Sequence, residues 1–227
     1  MNGAGRTAAI IGATGLIGNL LLDLLLTNPN YSTVTAITRR PLEKKHPKLV
    51  NLVVDFERLE EIASEIQGHD AFCCLGTTIK AAGSRAAFRR VDYDYAVNFA
   101  TACKSNGCTH FLLISAVGAH HDSYIFYNRT KGELEQALGV IGFPVLTIFQ
   151  PSLLVGDRKE HRLGEELAIR FSALMSLISV GPFKQYHPVK AEMLAKAMIN
   201  CALDTPEPHG QTQRRFTFKH IKKLAGG

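Results

Sequence analysis

The sequence predicts a doubly wound α/β fold, a parallel sheet with helices on both faces, and three observations carry that expectation. Apolar runs of strand length alternate with helical patterns from the first residues to about residue 150. The strand runs are rich in Val, Ile, Leu and Phe without polar alternation, as in strands buried on both faces. The first of them runs directly into a glycine-rich turn and then a helix.

Taken in order, Thr7–Ile11 is the first strand and Leu16–Leu26 the first helix, a leucine-rich stretch read as core packing. Strands Val34–Thr38 and Leu49–Val54 follow, then a helix at Leu59–Ile66 and a strand at Ala71–Cys74. Ala86–Lys104 carries apolar residues three and four apart and reads as a long helix. Strand Phe111–Ser115, helix Tyr127–Leu138 and strand Val145–Phe149 complete the alternation. After Pro151 the rhythm changes to two helical stretches, Leu163–Ser179 and Val189–Leu203, parted by Gly181-Pro182 and followed by a strand at Arg215–Phe218. That segment is too short for an independent domain. It is expected as a small substrate-side cap, 151–227, within one domain spanning 1–227.

Composition narrows the function classes. With 227 residues, 46% hydrophobic and 20% charged, the chain suits an ordinary folded domain and not disorder or repeats. Its most apolar stretch, Leu20–Leu26, contains Asp23 and falls far short of the roughly 20 residues that span a bilayer. With no signal-like N-terminus either, the expected location is the cytoplasm, with no membrane partner. The net charge of +6 is dispersed in pairs such as Arg89-Arg90 and Lys222-Lys223, without interleaved aromatics, so no nucleic-acid partner is expected. Five cysteines, an odd number with no C-x-x-C spacing, argue against a disulfide framework and a zinc site, and no metal is expected.

The chemistry begins at Gly12-Ala13-Thr14-Gly15-Leu16-Ile17-Gly18. Glycines let the backbone turn tightly and approach a pyrophosphate, whose charge meets the N–H groups and positive dipole end of the following helix. Gly12, Thr14, Gly15, Leu16, Ile17 and Gly18 are therefore the candidate phosphate-binding residues. About 20 residues after Gly18 the second strand ends in Thr38-Arg39-Arg40, where an NAD site would place an acid. Two guanidiniums there suit a ribose 2′-phosphate, so Arg39 and Arg40 point to NADP(H). The alternative is a solvated basic pair at a strand end.

Ser115 closes its strand, and twelve positions later come Tyr127 and, one helical turn on, Lys131. An ammonium beside a phenol lowers its pKa towards neutrality, which would make Tyr127 an acid or base, with Ser115 placing the substrate carbonyl or hydroxyl. Alone, Tyr-x-x-x-Lys is usually a surface pair; behind a strand-end serine and a glycine turn it reads as catalytic.

These motifs, together with Val54-Asp55-Phe56-Glu57, Phe72-Cys73-Cys74-Leu75-Gly76-Thr77-Thr78, Val91-Asp92-Tyr93-Asp94-Tyr95, Lys131-Gly132-Glu133 and Pro151-Ser152-Leu153-Leu154, make the chain resemble the atypical short-chain dehydrogenase/reductase (SDR) family and, within it, the Tat-interacting oxidoreductase-like subgroup. The resemblance covers most of residues 7–203. It implies a Rossmann-type fold and bound NADP(H), with Asp55 and Phe56 flanking the adenine, Leu75, Gly76 and Thr77 beside the cofactor, and Pro151, Ser152 and Leu153 at the nicotinamide end. Many related reductases have an Asn where this chain has Asp92. The expected function is hydride transfer between NADP(H) and a small carbonyl or alcohol. The rival is a non-catalytic NADP(H) sensor that acts through a protein partner, and a third possibility is an isomerase holding NAD. His120-His121-Asp122 is read as a solvated loop near the site, and Tyr186-His187-Pro188-Val189 either as a lid or as the start of the next helix.

Overall fold

The computed structural model describes residues 5–155, 187–204 and 210–226. Its main sheet contains strands β1 (Arg6–Ile11), β2 (Tyr31–Thr38), β3 (Leu49–Val53), β4 (Asp70–Cys73), β5 (His110–Ile114), β6 (Val145–Phe149) and, near the end of the chain, β9 (Thr212–Phe216). Every neighbouring pair is parallel, and the order is β3-β2-β1-β4-β5-β6-β9. The order reverses between β1 and β4, which opens a crevice at the carboxyl ends of the strands.

The lack of polar alternation in the strands has the expected cause. In β1, Ala8 and Ile10 join one core with Leu21, Leu25, Leu112 and Phe149, while Ala9 and Ile11 join the other with Phe99, Phe111, Leu134 and Leu138. The first core is closed by helices α1 (Leu16–Thr27) and α6 (Ala191–Leu203), the second by α4 (Tyr95–Ser105) and α5 (Phe126–Ile141).

Several elements differ from the sequence reading. The stretch expected as helix Leu59–Ile66 is a 3₁₀ segment, Phe56–Glu65, kinked at Arg58 (φ −123°, ψ 29°) and started by the Asp55 side chain, which accepts from Glu57 N–H at 3.1 Å. The long helix Ala86–Lys104 forms as expected, continuous from α3 (Arg85–Arg89) into α4, but it contains a π turn at Arg90–Asp94 that periodicity does not register; the short α2 (Ile79–Ala82) precedes it. The π turn is what carries Asp92 to 1% exposure.

The cap reading needs correction for the part described. Residues 187–204 and 210–226 belong to the sandwich itself: β9 pairs with β6, and α6 buries Leu194, Ala195 and Met198 in the core shared with α1. The reason is that β5 and β6 would otherwise expose Leu112, Ile114 and Phe149 on that face. The expected strand Arg215–Phe218 runs earlier, as β9, because Phe218 opens the last helix, α7 (Phe218–Leu224). A second, two-stranded sheet pairs β7 (Leu154–Val155) with β8 (Val189–Lys190). The expected helix Leu163–Ser179, the Gly181-Pro182 turn and Tyr186 lie outside the described residues.

The amino-terminal end of the sheet is closed by a buried polar cluster. Asp70, fully buried, accepts from Arg6 Nη2 at 2.6 Å and Nε at 2.9 Å and from Tyr31 Oη at 2.7 Å. His110, 2% exposed, pairs with Thr147 Oγ1 at 2.8 Å, while its Nδ1 lies 3.8 Å from Asp70. Burial, followed by the charges of Arg214 and Arg6, holds the imidazole neutral with a pKa of about 3, so the contact with Asp70 is not an ion pair. An unfolded chain binds this proton near pH 6.5 and the folded chain only near pH 3. Stability attributable to His110 is therefore complete above pH 6.5 and is lost as pH falls towards 3, at a slope approaching about 1.4 kcal/mol per pH unit. Urea midpoints across this range should fall more steeply for the native chain than for His110→Asn; parallel profiles would refute the assignment.

Candidate functional site

The β1–α1 turn sits at the switch point. Gly12 has φ +82°, and a Cβ there would lie 2.6 Å from the Cys74 backbone carbon and oxygen. A Cβ on Gly18 would lie 2.1 Å from the Gly12 oxygen. These two glycines allow β4 and the first turn of α1 to close on the loop. Gly15 differs: an added Cβ would meet only the Gly12 oxygen, at 3.3 Å, and both it and Thr14 are exposed. Ile17 is buried under the turn and Leu16 half-buried. The N-terminus of α1 has no side-chain cap and no acid in its first turn, so its N–H groups face an open cradle that an anion fits.

At the end of β2, Arg39 and Arg40 are both exposed, and the Arg39 guanidinium lies 5.8 Å from the centroid of the Phe56 ring. Their loop is fixed by a residue the sequence reading missed. Asn51 donates to Thr38 Oγ1 at 2.8 Å and Ala36 O at 3.0 Å, accepts from Leu42 N–H at 2.8 Å, and Thr38 Oγ1 in turn donates to Arg40 O at 2.8 Å. A lone Asn inside the apolar run Leu49–Val54 was the available signal. Phe56 is buried edge-on against Tyr95, with ring centroids 5.6 Å apart, and Asp55 remains exposed beside it. Leu75 is buried and Gly76 exposed, while Thr77 donates its N–H to Asp92 Oδ2 at 2.9 Å.

Lys131 is 3% exposed, and its Nζ lies 2.8 Å from Asp92 Oδ1. Tyr127, one turn earlier on α5, packs its half-buried ring 5.6 Å from that of Phe88. Burial alone would lower the Lys131 pKa, but the adjoining Asp92 carboxylate and then Tyr127 carry it above the ordinary value. Tyr127 corrects the expectation drawn from spacing. Burial raises its pKa; Lys131 pulls it down, but Asp92 pushes it up, and the phenol titrates above its ordinary value rather than below it.

Ser115 lies in the same region but already has a protein partner. Its hydroxyl donates to Glu135 Oε1 at 2.5 Å, and Glu135, 4% exposed, also accepts from Gln150 at 2.9 Å and Arg215 Nε at 3.1 Å. Glu135 falls four residues after Lys131 on the buried stripe of α5, a spacing that could have revealed it.

Pro151 is buried and accepts from Val117 N–H at 3.0 Å. Ser152 Oγ donates to His187 O, and Leu153 O accepts from Val189 N–H at 2.9 Å. The described part of the expected lid, His187 to Val189, is thus tied to the Pro151–Leu153 loop. The His120-His121-Asp122 loop presses on α5 so closely that a Cβ on Gly132 would lie 2.2 Å from the His120 carbonyl carbon. Its polar atoms bond to one another, with His121 Nε2 3.1 Å from Asp122 Oδ2 and His120 Nδ1 accepting from Asp122 N–H at 3.3 Å.

Known proteins resemble this chain in sequence and in fold. A protein-family model described as NAD(P)H-binding matches residues 12–138, more than half of the chain. The protein HTATIP2 of Rattus norvegicus is 43% identical over 226 residues, covering 98% of this chain and 91% of its own length. Candida albicans FMP52, named as mitochondrial, is 35% identical over 170 residues, 70% of this chain and 72% of its own. Among solved structures, the Bordetella bronchiseptica enzyme WbmH in complex with NAD+ superposes with a TM-score of 0.69 at 17% identity, over 97% of this chain and 79% of that one. The UDP-glucose 4-epimerase of Thermotoga maritima gives 0.68 at 14% identity, over 97% and 82%.

Two glycine substitutions separate fold from binding. Gly18→Ala forces a Cβ onto backbone that cannot yield, and should cost about 1–3 kcal/mol of stability as well as dinucleotide affinity. Gly15→Ala should melt within a few degrees of the native chain yet bind NADPH at least about tenfold more weakly, because the added methyl enters the cradle. Thermal melts beside NADPH fluorescence titrations would check both; tight binding by Gly15→Ala would overturn the placement.

Proposed function

The chain belongs to the NAD(P)H-binding family, in the atypical SDR group that includes HTATIP2, and on that premise we propose that it is an NADP(H)-dependent oxidoreductase acting on a small carbonyl or alcohol. The observation that carries the proposal is the buried Asp92–Lys131 pair beside Tyr127, set at the carboxyl ends of β4 and β5 next to the glycine turn.

In this reading Gly12, Thr14, Gly15, Leu16, Ile17 and Gly18 hold the pyrophosphate against the start of α1. Asp55 and Phe56 flank the adenine, with Arg39 stacked towards Phe56 and Arg39 and Arg40 together taking the 2′-phosphate. Leu75, Gly76 and Thr77 run beside the dinucleotide, and Pro151, Ser152 and Leu153 line its nicotinamide end. When bound, the dinucleotide supplies hydride exchange at a carbon. Tyr127 exchanges a proton with the substrate oxygen, Lys131 orients it, and Ser115 places the substrate.

The catalytic residues all lie on the single sheet-and-helix unit, in keeping with one domain whose substrate selectivity resides after Pro151. Neither nucleic acid nor a membrane is part of the proposal; among the described residues no helix is long and apolar enough to cross a bilayer. Cys73, Cys74, Cys103 and Cys108 are thiols, which suits a reducing compartment, and we take this to be the cytoplasm, although the fungal relatives are named as mitochondrial. A second reading, a non-catalytic NADP(H) sensor acting through a protein partner, is favoured by one observation: the Ser115 hydroxyl is already engaged by Glu135.

Two measurements test the proposal. NADPH should bind at least about tenfold more tightly than NADH, since each charge-assisted hydrogen bond to the 2′-phosphate contributes about 1.5–3 kcal/mol, and the double substitution Arg39→Ala with Arg40→Ala should erase the difference. Equal affinities in the native chain would remove NADP(H) from the assignment. Across a panel of aldehydes, ketones and quinones, NADPH oxidation should fall by a factor of about 100 or more in Tyr127→Phe while NADPH affinity persists. A native chain inactive against the whole panel would leave the sensor reading standing.

A further inference from the structure

The carboxylate at position 92 stands in the middle of the site and has two partners. One oxygen lies 2.8 Å from the Lys131 ammonium and the other accepts the Thr77 N–H at 2.9 Å. The π turn is what presents it: the extra residue in that turn lets Asp92, one of two acids in Arg90–Asp94, face inward at 1% exposure. The groups that face Tyr127 are Lys131 from its own helix and Asp92 from the turn packed against it. Lys131 also faces Cys73 at the end of β4, whose thiol is held neutral by burial, with a pKa of about 11.

The charge sum decides what the phenol does. A lone ammonium one turn away would favour phenolate. Here the ammonium is matched by a carboxylate at contact distance, so the pair presents a dipole and no net charge, and desolvation is the effect that remains. An Asn at position 92 could still accept from Thr77 but would leave the ammonium unmatched.

We propose that Asp92 is a positioning residue that fixes and neutralises Lys131, so that Tyr127 enters the reaction as a neutral phenol and the site is built to reduce a carbonyl rather than to oxidise an alcohol. This rests on the oxidoreductase reading above. The Tyr127 O–H bond breaks as its proton forms the O–H bond of the product alcohol. The carbonyl carbon takes its hydrogen and two electrons from the reduced dinucleotide, and the phenolate regains a proton from solvent.

The test uses the full chain without cofactor and reads the phenolate absorbance against pH. The band belonging to Tyr127, one of six tyrosines, is the one missing in Tyr127→Phe. Asp92→Asn should lower its midpoint by about one pH unit or more, and Asp92→Glu should restore it towards the native value. An unmoved or raised midpoint in Asp92→Asn overturns the proposal. Should that variant fail to fold, Lys131→Met decides: it leaves the carboxylate unmatched and should raise the midpoint, whereas no change or a fall refutes the role of Asp92. Turnover is not needed for this readout. A chain inactive on the carbonyl panel but shifted by Asp92→Asn loses only the enzyme reading, and an active chain with an unmoved midpoint loses only this one.

Discussion

Two backbone contacts without room for a methyl group set the geometry on which the site depends. Gly12 lets the end of β1 approach the Cys74 carbonyl, and Gly18 lets the first turn of α1 rest on the Gly12 oxygen. Those approaches bring the N-terminus of α1 to the point where the sheet order reverses, so the positive end of one helix faces the crevice between β1 and β4. From there, β4 leads to Leu75, Gly76 and Thr77, and β5 leads to Ser115 and the loop pressed against α5. Widen the turn by a methyl group and each of these would be displaced together.

The side chains of the site are placed by buried carboxylates. Asp92 holds both Lys131 and the Thr77 backbone, and Glu135 holds Ser115, Gln150 and Arg215. Buried pairs of this kind contribute little net stability, because desolvation offsets their attraction, yet removing one partner costs about 3–5 kcal/mol. What they provide is a fixed position. The contrast with the opposite end of the sheet is instructive: Asp70, Tyr31 and His110 are as deeply buried, with Arg6 half-buried against Asp70, but they lie away from the crevice, where a polar cluster ties strands together.

The fold was legible because its signals are local. Strands buried on both faces must be apolar throughout, and the three glycines fall within seven residues, even though the backbone that Gly12 must approach belongs to distant Cys74. What escaped the sequence reading depends on residues far apart in the chain. Spacing alone puts Lys131 beside Tyr127, but whether that ammonium acts as a charge depends on Asp92, thirty-nine positions earlier and aimed by a π turn that helical periodicity does not register. Asn51 and Glu135 each stood out as a polar residue on an apolar face, yet their partners lie on other elements. The described part of the segment expected as a cap packs in the sandwich for a similar reason: α6 reads as an ordinary amphipathic helix, and only the uncovered face of β5 and β6 shows where it must pack.

The two carboxylates also divide the work between the hydroxyls. In its bond to Glu135, a carboxylate ligated by Arg215, Ser115 can only be the donor, so what it offers a ligand is a lone pair. The Tyr127 hydroxyl, by contrast, donates to no described residue, and its surroundings keep it protonated. Of the two hydroxyls, one is therefore fixed as an acceptor and the other retains a proton to give. On the proposed reading, a substrate oxygen that needs a proton takes it from Tyr127, and a substrate that also carries a hydroxyl donor finds its acceptor at Ser115. The division follows from charge and hydrogen-bond capacity at Asp92 and Glu135, two residues that neither the tyrosine–lysine spacing nor the glycine turn would by themselves bring into the site.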